Sequence, residues 1–364
     1  MPRNLIINFN NEPCYEIIIS NSIDKLDSEI LEKTRKTYKR VCIVTDSNVA
    51  ELYLASVINI LERTFDTVCS FTFPAGEASK NLDIVQKLYT YLIENNFDRK
   101  DLLVALGGGV TGDMTGFAAA TYLRGIDFIQ VPTSLLSCVD SSIGGKTGVD
   151  FLSYKNMVGS FYMPKLVYIN TSFLDTLPDK QFSTGMAEII KHGLIKNFFY
   201  YTWLHDNVNL IKDRDRDTLE YMIYESCKIK KKVVENDPLE KGERALLNFG
   251  HTLGHAIEKA SDFSLTHGEC VALGSVAASF ISLNRGHITE SEYMSIINTL
   301  DSFNLGMPIS GYSKDMIVKE TKHDKKMDGD KLRFILLQKM GNAYIDDTVS
   351  DEELKEALSN ILME

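Results

Sequence analysis

The stretch LNFGHTLGHAIEKASDFSLTHGE, residues 247–269, holds three of the seven histidines in the chain: His251, His255 and His267. On a helix, residues i and i+4 share a face, so His251 and His255 can reach one point. GMAEIIKHG, residues 185–193, repeats the spacing with Glu188 and His192. Glutamate with imidazoles suits a catalytic zinc-type ion, which takes three protein ligands and keeps one position open. A lone histidine would read as a satisfied polar side chain; three beside glycines in a short span favour a metal. Spacing leaves two sets open, Glu188/His251/His255 and Glu188/His251/His267.

Cations surround this cluster. KIKKKVVENDPLEKGER carries Lys228, Lys230, Lys231, Lys232, Lys241 and Arg244. Most of a lysine run is expected to be a solvated helical face. Arg244, seven residues before His251 and next to an apolar segment, is placed to turn inward and grip a carboxylate or phosphate bidentately. Lys191 lies three residues after Glu188, on nearly the same helical face. The net charge is −11, so the surface as a whole should repel nucleic acid and anionic membrane. Inward cations in such a chain imply a small, multiply anionic substrate.

LGGGVTGDMTGF, residues 106–117, follows an apolar strand pattern and opens a helix. Glycines there let backbone N–H groups approach a phosphate, and the helix N-terminus adds a favourable dipole. The pattern reads GGGxxGD, not the dinucleotide GxGxxG. Asp46 ends the CIVTD run, placed for a ribose hydroxyl or, more blandly, for a helix cap. In VPTSLLSCVDSSIGGKTGVD, residues 131–150, Thr133 and Ser134 end a strand and two glycines precede Lys146; YKNMVG adds Lys155 and Asn156. Lysines beside glycine turns suggest anion contacts, with loop solvation as the alternative. A nicotinamide site, a metal with an open position and an anion pocket together suggest alcohol oxidation: the metal lowers the hydroxyl pKa and hydride leaves for the cofactor. The enzyme is then either a plain dehydrogenase releasing NADH, or one whose transient oxidation enables another step.

The elements that must position these residues fall into two halves. With 364 residues, 44% hydrophobic, the chain fits two domains better than one. LIINF, YEIII, RVCIVT, TVCSFTF, DLLVALGGG and IDFIQVP read as strands, with helical spacing between the later ones and Ser79 as an N-cap. This βαβ rhythm predicts an α/β domain with a mostly parallel, helix-covered sheet over residues 1–177. From Pro178 onward helix follows helix, so 178–364 is expected to be mainly helical, with RFILLQ and NAYIDD as a small hairpin. No apolar run reaches the length of a membrane span, and the N-terminus does not read as a signal peptide. Six scattered cysteines without a CxxC pair suggest reduced thiols in a cytoplasmic protein.

GEASKN, ALGGGVTGDMTGFAAATYLRG, QVPTSLLSCVDSSIGGKTGVD, KNMVGSFYMP, GMAEIIKHG and LNFGHTLGHAIE…HGE occur in the order found in 3-dehydroquinate synthases, and the chain resembles that family from about residue 40 to 270, with a weaker echo at DKKMDG. The resemblance implies a Rossmann-like nucleotide-binding domain, an all-α C-terminal domain and a cytoplasmic homodimer using NAD and Zn2+ or Co2+. It implies conversion of 3-deoxy-D-arabino-heptulosonate 7-phosphate to 3-dehydroquinate and phosphate, in the shikimate route to chorismate and the aromatic amino acids. NAD transiently oxidises the C5 hydroxyl, phosphate is eliminated, the ketone is reduced again, and an aldol closure forms the ring.

Carried over, the resemblance chooses Glu188, His251 and His267 as metal ligands and leaves His255 for substrate hydrogen bonding and proton transfer. It matches Lys146, Asn156, Lys191, Lys230, Arg244, Leu247, Asn248, Asp140 and Glu240 to the substrate pocket, with Arg124 contributed by a neighbouring subunit. One of Lys325 and Lys326 joins them. For NAD it matches Asp46, Glu77, Lys80, the turn Gly109, Val110, Thr111, Gly112 and Asp113, then Thr133, Ser134, Lys146 and Lys155, with Phe173, Leu174, Asp175 and Thr176 nearby. Ser134 stands where many members carry threonine, and Thr111 where an aliphatic residue is common. His192 is given a packing role. Relatives of this fold cyclise sugar phosphates that lack a carboxylate; Arg244, Asn248, Lys230 and His255 argue for the substrate that bears one. The alternative is a metal-dependent polyol dehydrogenase of the glycerol type.

Overall fold

The structure, a computed structural model, describes residues 3–152, 154–262, 264–305, 308–322, 327–328 and 331–363. Lys325 and Lys326 lie outside the described residues. The chain divides into two compact units, one of Met1–Leu177 with Leu219–Pro238 and one of Pro178–Thr218 with Leu239–Glu364.

In the first unit the strands are β1 (Arg3–Phe9), β2 (Glu12–Ser20), β3 (Arg40–Asp46), β4 (Thr67–Phe73), β5 (Leu102–Gly107), β6 (Asp127–Pro132), β7 (Lys146–Phe151), β8 (Tyr154–Phe161) and β9 (Leu166–Asn170). Seven form one sheet in the order β1-β2-β9-β6-β5-β3-β4. All its pairings are parallel except the β1–β2 hairpin. Because successive strand side chains point to opposite faces, β3 sends Val41 and Ile43 into one apolar core and Cys42 and Val44 into another. The helices Leu26–Thr34 and Ala55–Leu61 cover the first core; Leu82–Glu94 and Gly109–Thr121 cover the second. Coverage on both faces explains why these strands are continuous apolar runs rather than alternating ones.

Three details differ from the sequence reading. Asn81, not Ser79, caps the helix Leu82–Glu94, its side chain accepting from the Ile84 N–H at 3.0 Å. Ser79 is spent elsewhere, donating to the Pro74 carbonyl at 2.6 Å. The lysine-and-glycine segment after residue 145 is not loop: β7 and β8 form an antiparallel hairpin of their own. The mixed polarity of β7, whose buried residues are Thr147, Gly148 and Val149, and the partial exposure of β8 hide any strand signal. β9 is a five-residue, fully buried strand, which the sequence reading passed over.

The second unit is mainly helical. Its longest helices are Asp179–Lys196 and His267–Asn284, and the antiparallel pair Phe334–Lys339 and Asn342–Asp346 supplies the hairpin expected there. Among the described residues no helix is long and apolar enough to cross a membrane. None of the six cysteines is in a disulfide; Cys42, Cys138, Cys227 and Cys270 are buried.

Candidate functional site

Two helix starts place the histidines of the second unit. Gly250 turns the chain in the left-handed region, φ 78°, so that His251 opens the helix His251–Ala260. A capping box, with Thr266 accepting from the Glu269 N–H and Glu269 accepting from the Thr266 N–H, fixes His267 in the first turn of the next helix. Glycines set how closely these helices approach. A Cβ on Gly254 would lie 2.9 Å from the Cys270 carbonyl oxygen, and one on Gly268 would lie 2.6 Å from the Thr184 carbonyl oxygen. The first contact joins the two histidine helices, and the second joins His267–Asn284 to Asp179–Lys196, which carries Glu188.

Glu188 therefore meets the imidazoles. Its Oε1 lies 3.4 Å from His251 Nε2 and 3.5 Å from His267 Nε2. The ligand atoms of Glu188, His251 and His267 all lie within 4.8 Å of one another. His255 falls into a second group, with Glu258 and His267, on the same distance limit. The three rings pack with centroids 5.3, 5.3 and 6.2 Å apart.

Glu188 is fully buried, and outside its ion pair with Lys191 neither carboxylate oxygen has a hydrogen-bond partner. Such a group is costly unless its charge is compensated. Burial alone would raise its pKa, but the Lys191 charge, His251 and His267 hold it well below the usual carboxylate range. Lys191, itself buried, forms an ion pair with Glu188. Burial, helped by Lys191, pushes the His251 imidazole down to about 3, so it is neutral near pH 7. Its Nδ1 lies 3.1 Å from the Phe249 carbonyl oxygen, which can only accept; Nδ1 thus carries the proton and Nε2 presents a lone pair beside Glu188. A buried carboxylate kept ionised by Lys191 and a neutral imidazole fixed in this tautomer are what a divalent ion requires of its ligands.

In the same unit Arg244 is 2% exposed, the inward placement expected of it. Asn248 Nδ2 donates to Glu240 Oε1 at 3.1 Å. Leu247 is buried, as is His192, within the helix Asp179–Lys196.

The first unit holds the remaining residues. Lys80 is buried and donates to Asp113 Oδ2 at 2.7 Å and Asn156 Oδ1 at 2.6 Å. Burial works against the Lys80 charge, yet Asp113 and Glu77 raise its pKa above the ordinary value. Asn156 has left-handed backbone, φ 53°, and its N–H donates to Asp150 Oδ1 at 2.8 Å. One network thus joins Asn156, expected at the substrate, to Lys80 and Asp113, expected at the cofactor. Lys230 is the buried member of its lysine run; it donates to the Asp140 carbonyl at 2.6 Å and pairs with the Asp140 carboxylate. Lys228 and Lys232 are exposed, as a solvated face predicts.

Gly109, Val110, Thr111, Gly112 and Asp113 form the start of the helix Gly109–Thr121, directly after β5. The Thr133 N–H donates to the Gly107 carbonyl at 3.0 Å, and Ser134 Oγ lies 2.9 Å from Ser137 Oγ. Asp46 Oδ1 caps the turn after β3, accepting from the Asn48 and Val49 N–H groups at 2.9 and 3.1 Å. Phe173, Leu174, Asp175 and Thr176 make a single turn after β9, where the Phe173 ring packs 4.2 Å from that of Tyr53. Glu77 and Lys146 are exposed, and Lys155 is half-buried on β8. Arg124 is exposed on a tight turn with φ 65°. Glu258 was missed by the sequence reading; its signal is the i, i+3 spacing from His255.

Comparison with known proteins identifies the family of the chain. The family described as 3-dehydroquinate synthase N-terminal matches residues 70–184, and 3-dehydroquinate synthase C-terminal matches 185–327. A 3-dehydroquinate synthase of Acetivibrio thermocellus is 44% identical over 93% of this chain and 94% of its own. One from Shewanella halifaxensis is 45% identical over 88% of this chain and 90% of its own. Among solved structures, a 2-deoxy-scyllo-inosose synthase complexed with carbaglucose-6-phosphate, NAD+ and Co2+ superposes with a TM-score of 0.86 at 28% identity, covering 98% of this chain and 99% of that one.

Proposed function

Because the chain belongs to the 3-dehydroquinate synthase family, we propose that it turns 3-deoxy-D-arabino-heptulosonate 7-phosphate into 3-dehydroquinate and phosphate with NAD and a divalent ion, zinc or cobalt, held by Glu188, His251 and His267. The observation that carries this reading is the convergence of the fully buried Glu188 carboxylate with two imidazole nitrogens within 4.8 Å. When bound, the ion would polarise a substrate hydroxyl and the nicotinamide would accept and return a hydride. A cobalt and NAD+ complex of a similar fold supports both groups.

The protein's own residues do the rest. The buried cations Lys191, Lys230 and Arg244 suit a substrate carrying a carboxylate and a phosphate, to which such groups make charge-assisted hydrogen bonds. Arg244 offers a bidentate grip on one anionic group. Asp140 holds the Lys230 ammonium in place, and Glu240 holds the Asn248 amide. His255, half-buried beside His251, binds a substrate oxygen and moves its proton. Lys146 completes the anion contacts. Asp46, Glu77, Lys80, Thr133, Ser134 and Lys155, with the turns at residues 109–113 and 173–176, cradle the dinucleotide. Arg124 reaches the site of a partner subunit in a cytoplasmic homodimer.

The test mixes enzyme, zinc or cobalt and a trace of NAD with the heptulosonate phosphate and follows phosphate. Many phosphates released per NAD, with no build-up of NADH, are expected. Stoichiometric NADH would make the enzyme a polyol dehydrogenase instead.

A further inference from the structure

Glu258 is a carboxylate in an unfavourable place. It is 5% exposed and sits in the last turn of the helix His251–Ala260, where the negative end of the helix dipole disfavours an anion. What it faces offsets this. One carboxylate oxygen and one ring nitrogen each of His255 and His267 lie within 4.8 Å of one another. The third imidazole, His251, already has an orienting acceptor in the Phe249 carbonyl.

We propose that Glu258 is a positioning residue: its carboxylate fixes the orientation and tautomer of the His255 and His267 rings and thereby tightens the ion held at Glu188, His251 and His267. The inference rests on the reading of that trio as an ion centre. An imidazole ligand that donates its other N–H to a carboxylate is held in one ring orientation and becomes a better donor to the ion. The same carboxylate ties His255, the proton-transfer residue, to the geometry of the centre.

Zinc affinity, read by competition with a chromophoric chelator, tests this without recourse to turnover. Glu258→Gln keeps the volume and removes the charge; affinity is expected to fall about 10- to 100-fold, with the melting temperature of the zinc-free protein close to that of wild type. Glu258→Asp, which keeps the charge, is expected to lose less, and it serves if the glutamine variant does not fold. Wild-type affinity in Glu258→Gln, or equal loss in both variants with a lowered zinc-free melting temperature, overturns the proposal. His251→Ala is the control for the centre itself: if it retains zinc at wild-type affinity, the trio is not the ion site and the inference falls with it, a failure distinct from that of Glu258 alone.

Discussion

At the scale of single residues, the site is governed by the cost of burying charge. Glu188 is fully enclosed, with Lys191 as its ion-pair partner. Replacing it by glutamine leaves the shape and removes the anion, so Lys191 loses its buried counter-charge and the proposed ion centre loses a ligand. Glu188→Gln and His251→Ala are each expected to abolish zinc binding and to lower turnover by at least about a thousandfold, several kcal/mol of transition-state stabilisation. Metal analysis and steady-state phosphate release check both. The side chains of this centre were legible in the sequence as types and spacings. Glu258 was passed over: its i, i+3 spacing from His255 puts the two on one helical face, but that spacing does not say whether the glutamate is buried.

At the scale of elements, glycines position the chemistry. The helix His251–Ala260 lies so close to His267–Asn284 that a methyl on Gly254 would press on the Cys270 backbone at 2.9 Å. Gly254→Ala adds about 1 kcal/mol of helix propensity, but the backbone has to yield, which costs about 1–3 kcal/mol. A net loss is therefore expected, read as a lower urea midpoint at unchanged slope. Zinc affinity should fall with it as the imidazoles move. Most elements were readable because local patterns specify them: the buried parallel strands, the glycine turn before Gly109–Thr121 and the C-terminal hairpin. β7 and β8 were not, since the buried centre of β7 is Thr147, Gly148 and Val149 and β8 has no buried residue, which leaves little hydrophobic pattern.

At the scale of the whole molecule, the second unit is tied to its C-terminal segment by charge. Arg285 donates to Glu353 Oε1 and Oε2 at 2.8 and 3.0 Å and to Asp346 Oδ2 at 2.9 Å. The Arg285 hydrogen bond lowers the Glu353 pKa despite partial burial. At Asp346 burial opposes the charge, but hydrogen bonds from Thr348 and the Arg285 cation outweigh it. Both folded values lie below those of the unfolded chain, so this stability is present above about pH 4 and is lost as the pH falls through the lower folded values. Arg285→Gln is expected to cost about 1–2 kcal/mol at pH 7, the loss of charged hydrogen bonds that are partly screened by solvent. The difference from wild type should shrink toward zero in strong acid. Urea titrations of both proteins at several pH values check the sign.

The sequence by itself determined the βαβ rhythm, the helical second half and the clustering of carboxylate, imidazole and cation, because each follows from residue type and spacing along a few turns of chain. It left open, on spacing alone, which imidazoles share Glu188, since two sets satisfied the same helical geometry. Only the tertiary structure brought Glu188, His251 and His267 into one group and His255 into another with Glu258. The physical reason is close packing of three helices at Gly254 and Gly268: contacts between residues tens of positions apart depend on how backbones fit, and no local pattern encodes that fit.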